Sequence, residues 1–339
     1  MGGIFSSTCF FLTTRLASWG ICLLTFATTG WGQGHGELSV QLQELATLGK
    51  DPKHGFVQVG DVVTDSKGFI YVTDRFQYSI GKFSPGGIYK RAFGKRGNGR
   101  GEFRAVPYQM TISMDTLAVA EAGTDRVQFF STDFKLVGEM NASGPIVDIV
   151  CSLQGALYAS VIPLSGDKGD ILAEYDRSGR IVARFPLEDA TGKPAFDMTC
   201  LCVDRNNRLI VVYRYINKVL VWSEGHAVSF SVNSVPPRAG ENTEFQQKLG
   251  SLPEGTLFSD VAADNEGHIL ILGGDYSTHP NRDVYVVDYS GKLECILILP
   301  DESGVLYIDS TGFLYTREQH RRIVKKYKIE YSFPPEAEH

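Results

Sequence analysis

The sequence predicts an all-β fold, a six-bladed β-propeller of four-stranded antiparallel blades whose ring is closed by the N-terminal strand. Three observations carry that prediction. One short segment recurs six times along the chain, an aromatic residue follows four of the copies at a fixed distance, and no helical period of useful length competes with the pattern. The 36 glycines, 15 tyrosines and 20 phenylalanines in 339 residues suit many short strands joined by tight turns.

The first thirty-odd residues stand apart. No acidic residue precedes Glu37, Arg15 supplies a single basic side chain, and Leu16 to Ala27 is an apolar run ending in a small-residue stretch before Gln33. Such a run is too short to span a bilayer comfortably and fits the core of a signal peptide. We therefore divide the chain into a signal peptide at 1–33, a propeller at 37–332 and a short polar tail at 333–339. The expected location is exported, periplasmic or extracellular, with no membrane span once the leader is removed.

Leu38 to Leu45 alternates as a strand but belongs to no repeat. The repeats follow. Asp65-Ser66-Lys67-Gly68 leads into the strand Phe69 to Asp74, and Asp264 to Gly267 and Asp309 to Gly312 open the same way. Asp204 to Asn207 has Asn in place of Gly, the natural substitute where φ is positive. Ser152 to Gly155 and the shorter Ser113 to Thr116 complete the six. Phe83, Phe130, Trp222 and Tyr327 each lie nine residues beyond the end of that strand. A further glycine turn (Gly86-Gly87, Gly179, Gly291) then precedes a fourth strand, giving units of roughly 40–50 residues, the period of a propeller blade. The sixth unit ends near Tyr331 after three strands. The unassigned Leu38 to Leu45 strand is expected to supply the fourth, which removes two exposed edges. Thr243 to Leu249 is the one short helical candidate.

One blade carries a family resemblance. Leu117 to Phe130, with Glu121, Asp125, Arg126 and Val127 in its middle and Gly97 to Pro107 as lead-in, resembles an NHL repeat; the first and sixth units match more loosely. The resemblance implies an exported six-bladed NHL-type propeller that acts as a binding or scaffold module. Propeller enzymes similar to this fold hold zinc through histidines, as amidating-type lyases do, or a divalent ion through Glu, Asn and Asp, as lactonases do. They supply the alternative: a metal-dependent enzyme with its site at the channel mouth. The histidines here occupy different repeat positions, no H-E-x-x-H or G-x-S-x-G motif occurs, and no catalytic residue is assigned.

Asp61, Asp148 and Asp260 share one repeat position at the start of the innermost strand, where the other blades have Gln109, Cys200 and Val305. Three carboxylates about one axis could bind a ligand or a divalent cation such as Ca²⁺, which takes several hard oxygens. The expected structural role is simpler, namely bonds to neighbouring backbone amides. Asp74, Glu121 and Glu318, with Arg126 and Arg322 following, suggest ion pairs between strands. The stretch Gly94 to Gly101 lacks the helix and Lys-Ser/Thr pair of a phosphate loop and reads as a connector, whose Lys95, Arg96 and Arg100 are candidates for contacting a partner. Insertions at Ile162 to Gly169, Asn233 to Thr256 and Gly274 to Asp283 are where binding is expected, with Tyr276 and His279 as further contact candidates.

The chain's net charge of −6 and the absence of a basic stripe argue against nucleic acid. His320 to Arg322 with Lys325, Lys326 and Lys328 alternate with Ile323, Val324 and Tyr327 as a solvated strand face would. The expected partner is a protein, peptide or glycan. Cys151, Cys200, Cys202 and Cys295 lack the paired spacing of a zinc site and read as buried thiols, with a disulfide open to an exported protein.

Overall fold

The computed structural model describes residues 38–162, 172–187, 198–233, 235, 256–274, 281–318 and 322–332. The signal peptide, the helical candidate 243–249, the tail 333–339 and the contact candidates Tyr276 and His279 lie outside them. Within the unit Gly36–His339, the described secondary structure is all strand.

Among the described residues, twenty-four strands form six four-stranded antiparallel sheets. Blade one is β2 (Val59–Thr64), β3 (Ile70–Asp74), β4 (Ser79–Phe83) and β5 (Tyr89–Phe93). Blade two is β6 (Pro107–Ser113), β7 (Thr116–Glu121), β8 (Arg126–Ser131) and β9 (Leu136–Asn141), and blade three is β10 (Ile146–Cys151), β11 (Leu157–Val161), β12 (Leu172–Tyr175) and β13 (Ile181–Arg184). Blade four is β14 (Thr199–Val203), β15 (Leu209–Tyr213), β16 (Val219–Ser223) and β17 (His226–Phe230). Blade five is β18 (Phe258–Ala263), β19 (Ile269–Gly273), β20 (Asp283–Val287) and β21 (Leu293–Ile298). Blade six takes β22 (Ser303–Ile308), β23 (Phe313–Glu318) and β24 (Ile323–Ser332) from the C-terminal end and β1 (Ser39–Leu48) from the other. β1 runs antiparallel to β24 from Ser39↔Ser332 to Leu48↔Val324, with one bulge between Glu44 and Ala46. The N-terminal strand thus closes the ring as the strand count required.

The repeats fold this way because each blade buries both faces. Side chains alternate across a strand, so odd and even residues of β3, β15 and β19 point to different neighbours, and both sets are fully enclosed. Six hydrophobic clusters result, one at each blade junction. Val72, Phe83, Tyr315 and Val324 join blades six and one, for example, while Val212, Val221, Ile271 and Tyr285 join four and five. Outer strands such as β5 and β17 are largely exposed. The turn residues behave as read: Gly68, Gly155, Gly267 and Gly312 have positive φ, and Asn207 takes 59°. In four of these turns an aspartate accepts the following amides, as Asp65 Oδ1 does from the Lys67 and Phe69 N–H groups at 3.0 and 2.9 Å, and at Gly155 the Ser152 hydroxyl accepts from Ala156 N. No disulfide joins the four described cysteines, Cys151, Cys200, Cys202 and Cys295.

Candidate functional site

The innermost strands β2, β6, β10, β14, β18 and β22 surround a central channel holding a cavity of about 120 Å³. Asp61, Gln109, Asp148, Cys202, Asp260 and Tyr307 are among its lining residues. Three carboxylates from alternate blades therefore reach one channel, as their shared repeat position implied. Both oxygens of each are engaged by backbone amides. Asp61 accepts from Val62 N at 2.8 Å and, across the blade junction, from Met110 N at 2.8 Å. Asp148 accepts from Ile149 N and Leu201 N, each at 2.8 Å, and Asp260 from Val261 N at 2.9 Å and Leu306 N at 2.7 Å. Each aspartate thus fastens an odd-numbered blade to the next.

The even-numbered blades fasten differently. Cys151 N donates to Thr111 Oγ1 at 3.0 Å, Cys200 Sγ to the Ser259 carbonyl at 3.2 Å, and Arg317 Nη1 to the Val59 and Gly60 carbonyls at 3.0 and 3.2 Å. The carboxylate oxygens already receive N–H groups, and among the described residues no set of three His, Cys, Asp or Glu side chains is arranged to hold a metal.

Burial dominates the electrostatics. Desolvation raises Asp148 to about 7 and Asp260 to about 6, against the lowering effect of their amide donors and Arg214. Asp61 is also raised, by desolvation first and then by the charges of Asp260 and Asp148.

Three residues that the sequence reading passed over lie at the same end of the channel. Arg75 stands 4.7 Å above the Tyr108 ring. Arg214 Nε makes a 3.4 Å bond to the Thr199 carbonyl, and its guanidinium lies within electrostatic reach of Cys200, Tyr108, Asp148 and Asp260. A repeat alignment carries a signal for two of them, since Arg75 and Arg214 each directly follow the second strand of their blade.

The remaining candidates scatter. Lys95 is exposed and paired with Glu102 at 2.9 Å, and Arg96 stands 5.6 Å from the centre of the Tyr78 ring. Arg100 is exposed in the same connector, which Glu102 Oε2 braces by accepting Gly99 N at 2.8 Å. Of the expected ion pairs, Glu121–Arg126 forms at 2.7 Å. Asp74 does not use an arginine; it accepts the amides of Val57, Gln58, Phe76 and Gln77, because a carboxylate at a strand end can cap the loops on both sides. His268 is tucked against Asp264 at 2.8 Å and the Tyr331 ring.

Strand direction places every connection from a second to a third strand, and every connection between blades, at the end where Asp61, Asp148 and Asp260 begin their strands. The strands that flank 162–171, 185–198, 231–257 and 274–282 meet those segments at that end, as do the strands flanking the Lys95–Arg100 connector. The tight Asp-x-x-Gly turns occupy the other end.

No protein family matches the chain in sequence, and no curated protein matches it either. Solved structures do. A protein described as exported, from Bacteroides fragilis, is similar with a TM-score of 0.61 at 13% identity, covering 86% of this chain and 95% of that one. A gluconolactonase from Xanthomonas campestris has a TM-score of 0.58 at 11% identity, covering 87% and 95%. Virginiamycin B lyase from Staphylococcus aureus has 0.54 at 12%, covering 86% and 89%. At these identities the likeness establishes the fold alone.

Proposed function

We propose that the chain is an exported NHL-type propeller serving as a binding module, which engages a protein, peptide or glycan through the channel-mouth face. The observation that carries this reading is topological: the strand ends from which the long connections leave, the connector basic residues and the Asp–Arg–Tyr mouth share one end of the ring. Loops on a fixed scaffold are where recognition concentrates. The leader-like features of residues 1–33 and the fold-similar protein described as exported support the export. Among the described residues no helix is long and apolar enough to cross a membrane.

A metal-dependent enzyme is the second reading, with less support because each channel carboxylate spends one lone pair of each oxygen on a backbone amide. The test is to screen the full chain on peptide and glycan arrays and map a hit by hydrogen–deuterium exchange. Protection is expected near Arg75, Tyr108, Thr199 and Phe258. Protection confined to the turn end, near Ser66, Asp115 and Leu153, would overturn the face, and stoichiometric metal with lactone or lyase turnover would overturn the binding-module reading.

A further inference from the structure

Each blade ends in an outer strand with one open edge, and among the described residues five of the six edges are blunted in two ways. β5, β9, β13, β21 and β1 each pair with the strand inside them across a β-bulge. They also carry formal charges: Lys90 and Arg91 on β5, then Glu139, Arg184, Glu294 and Glu44 in that order. Bulges and charges are the devices that keep a sheet edge from recruiting another strand.

β17 has neither. It pairs with β16 without a register shift, from Ser223↔His226 to Val219↔Phe230. Its sequence His226-Ala227-Val228-Ser229-Phe230 holds no acidic residue, lysine or arginine. His226 to Ser229 are all exposed, Val228 by 61%. The hairpin fixes which backbone groups are free. Glu224 and Gly225 both have positive φ, as a two-residue loop requires, so Ser223 and His226 form a hydrogen-bonded pair. Alternation then turns the N–H and C=O groups of Val228 and Phe230 toward β16 and leaves those of Ala227 and Ser229 on the open edge.

Side chains sort across the same strand. Val228 stands opposite Val221, which packs into the junction of blades four and five, so Val228 faces blade five. On β21, Ile296 stands opposite Tyr285 of the same junction, so Ile296 and Ile298 face blade four. They are 43% and 53% exposed. Exposed apolar side chains of two neighbouring blades thus share one side of the edge.

We propose that β17 pairs with β17 of a second copy, antiparallel about Val228, to form one continuous sheet across a two-fold dimer. The strand is self-complementary in that register. Ala227 meets Ser229 of the second copy, and the two exchange their free N–H and C=O groups. Val228 meets Val228 of the second copy in the closely spaced pair without hydrogen bonds, and no charge meets its like. The two-fold that relates antiparallel neighbours is perpendicular to the sheet, so both copies turn Val228, Ile296 and Ile298 to the same side. An edge of five residues is short, so the dimer is weak: dilute solutions hold monomer, and the dimer fills as concentration nears millimolar. The edge lies on the rim, and pairing there leaves the channel mouth open.

The experiment is sedimentation velocity on the full chain from micromolar to near-millimolar concentration. The weight-average mass is expected to rise toward that of a dimer and no further, because the pairing closes on itself. Ser229→Pro removes an outward donor and touches no bond to β16, while Val228→Lys sets like charges opposite each other. Each should weaken association by about tenfold or more. Val137→Lys, at a comparably exposed position of the bulged and charged β9, should leave it unchanged. Circular dichroism confirms folding, and either edge variant serves should the other unfold. Hydrogen–deuterium exchange at the Ala227 and Ser229 amides is expected to slow as concentration rises. A monomer at every concentration overturns the pairing, even where an added extended peptide protects the same amides, since the edge then belongs to a partner's strand. A dimer that both substitutions leave intact, or association that continues past the dimer, overturns it as well.

Discussion

Glu121 has an enclosed carboxylate that accepts from Arg126 Nη1 and the Ala105 amide, each at 2.7 Å, and from Gln128 Nε2 at 3.3 Å. Arg126 in turn reaches the Glu102 carbonyl at 3.1 Å and Glu139 at 2.8 Å. Removing one member of such a set leaves a buried charge without its counterion, a loss of about 3–5 kcal/mol. Arg126→Met is therefore expected to shift urea unfolding by that amount, whereas Arg91→Met, at an exposed pair, should change it by under about 1 kcal/mol. Asn207 offers a second test. Its φ of 59° favours Gly or Asn, and its Oδ1 accepts Leu153 N from blade three at 2.8 Å. Asn207→Gly loses only the bond, while Asn207→Ala also places a Cβ in the left-handed region. The alanine variant should be less stable than the glycine variant by about 1–2 kcal/mol in parallel melts. Both features were legible as residue patterns: an acid followed by Arg, and Asn standing for Gly. Asp74 was not, because nothing in its own neighbourhood says whether a strand-end carboxylate meets a guanidinium or four amides.

Between neighbouring inner strands, the channel aspartates act as clamps from one blade to the next, and their ionisation links stability to pH. In the unfolded chain Asp148 titrates near 3.8, whereas in the fold it holds its proton to about 7. Between those values the native state binds more protons than the unfolded state, so stability falls as pH rises across that window and is fully present below it. Asp260, raised to about 6, acts in the same direction. Asp148→Asn removes the titration but directs an N–H donor at one of the amides of Ile149 or Leu201. It should therefore be less stable at acid pH, by about 1–3 kcal/mol, with a flatter profile towards neutrality. Urea unfolding at several pH values from 4.5 to 7.5 on both proteins, roughly spanning the window set by these shifts, checks the slope; an unchanged slope would assign the pH dependence elsewhere. The clamps were legible in the sequence because the three aspartates share one repeat position. The mouth was not, because Arg75 and Tyr108 come from different blades and meet only once blades one and two pack together.

Across the whole ring, closure depends on one junction that chain order does not supply. Blades one to five are each made of consecutive strands, but blade six must recruit β1 from the far end of the propeller. This too was legible, since the sixth repeat stopped at three strands while an alternating segment near residue 40 had no partner. The side chains of β1 and of Leu38 just before it reinforce the pairing: Leu38, Val40 and Leu42 pack into the junction of blades five and six, and Leu48 into that of six and one. Without β1, the ten-residue strand Ile323–Ser332 becomes an open edge, with a row of unpaired N–H and C=O groups beside exposed apolar side chains. A chain beginning after Thr47 keeps Leu48 and every other blade intact, so what it loses is the closing strand. We expect it to melt at a lower temperature than the full propeller and to self-associate in size-exclusion chromatography, because a second copy's edge is the nearest substitute for β1. A synthetic peptide of residues 38–48 added in trans should restore the monomer and raise the midpoint, since its pairing register runs continuously to Ser332 apart from one bulge. A truncated chain that stayed monomeric with an unchanged midpoint would show that the ring is held by the inner-strand clamps, Arg317 and the packed junctions alone, and that β1 only covers an edge.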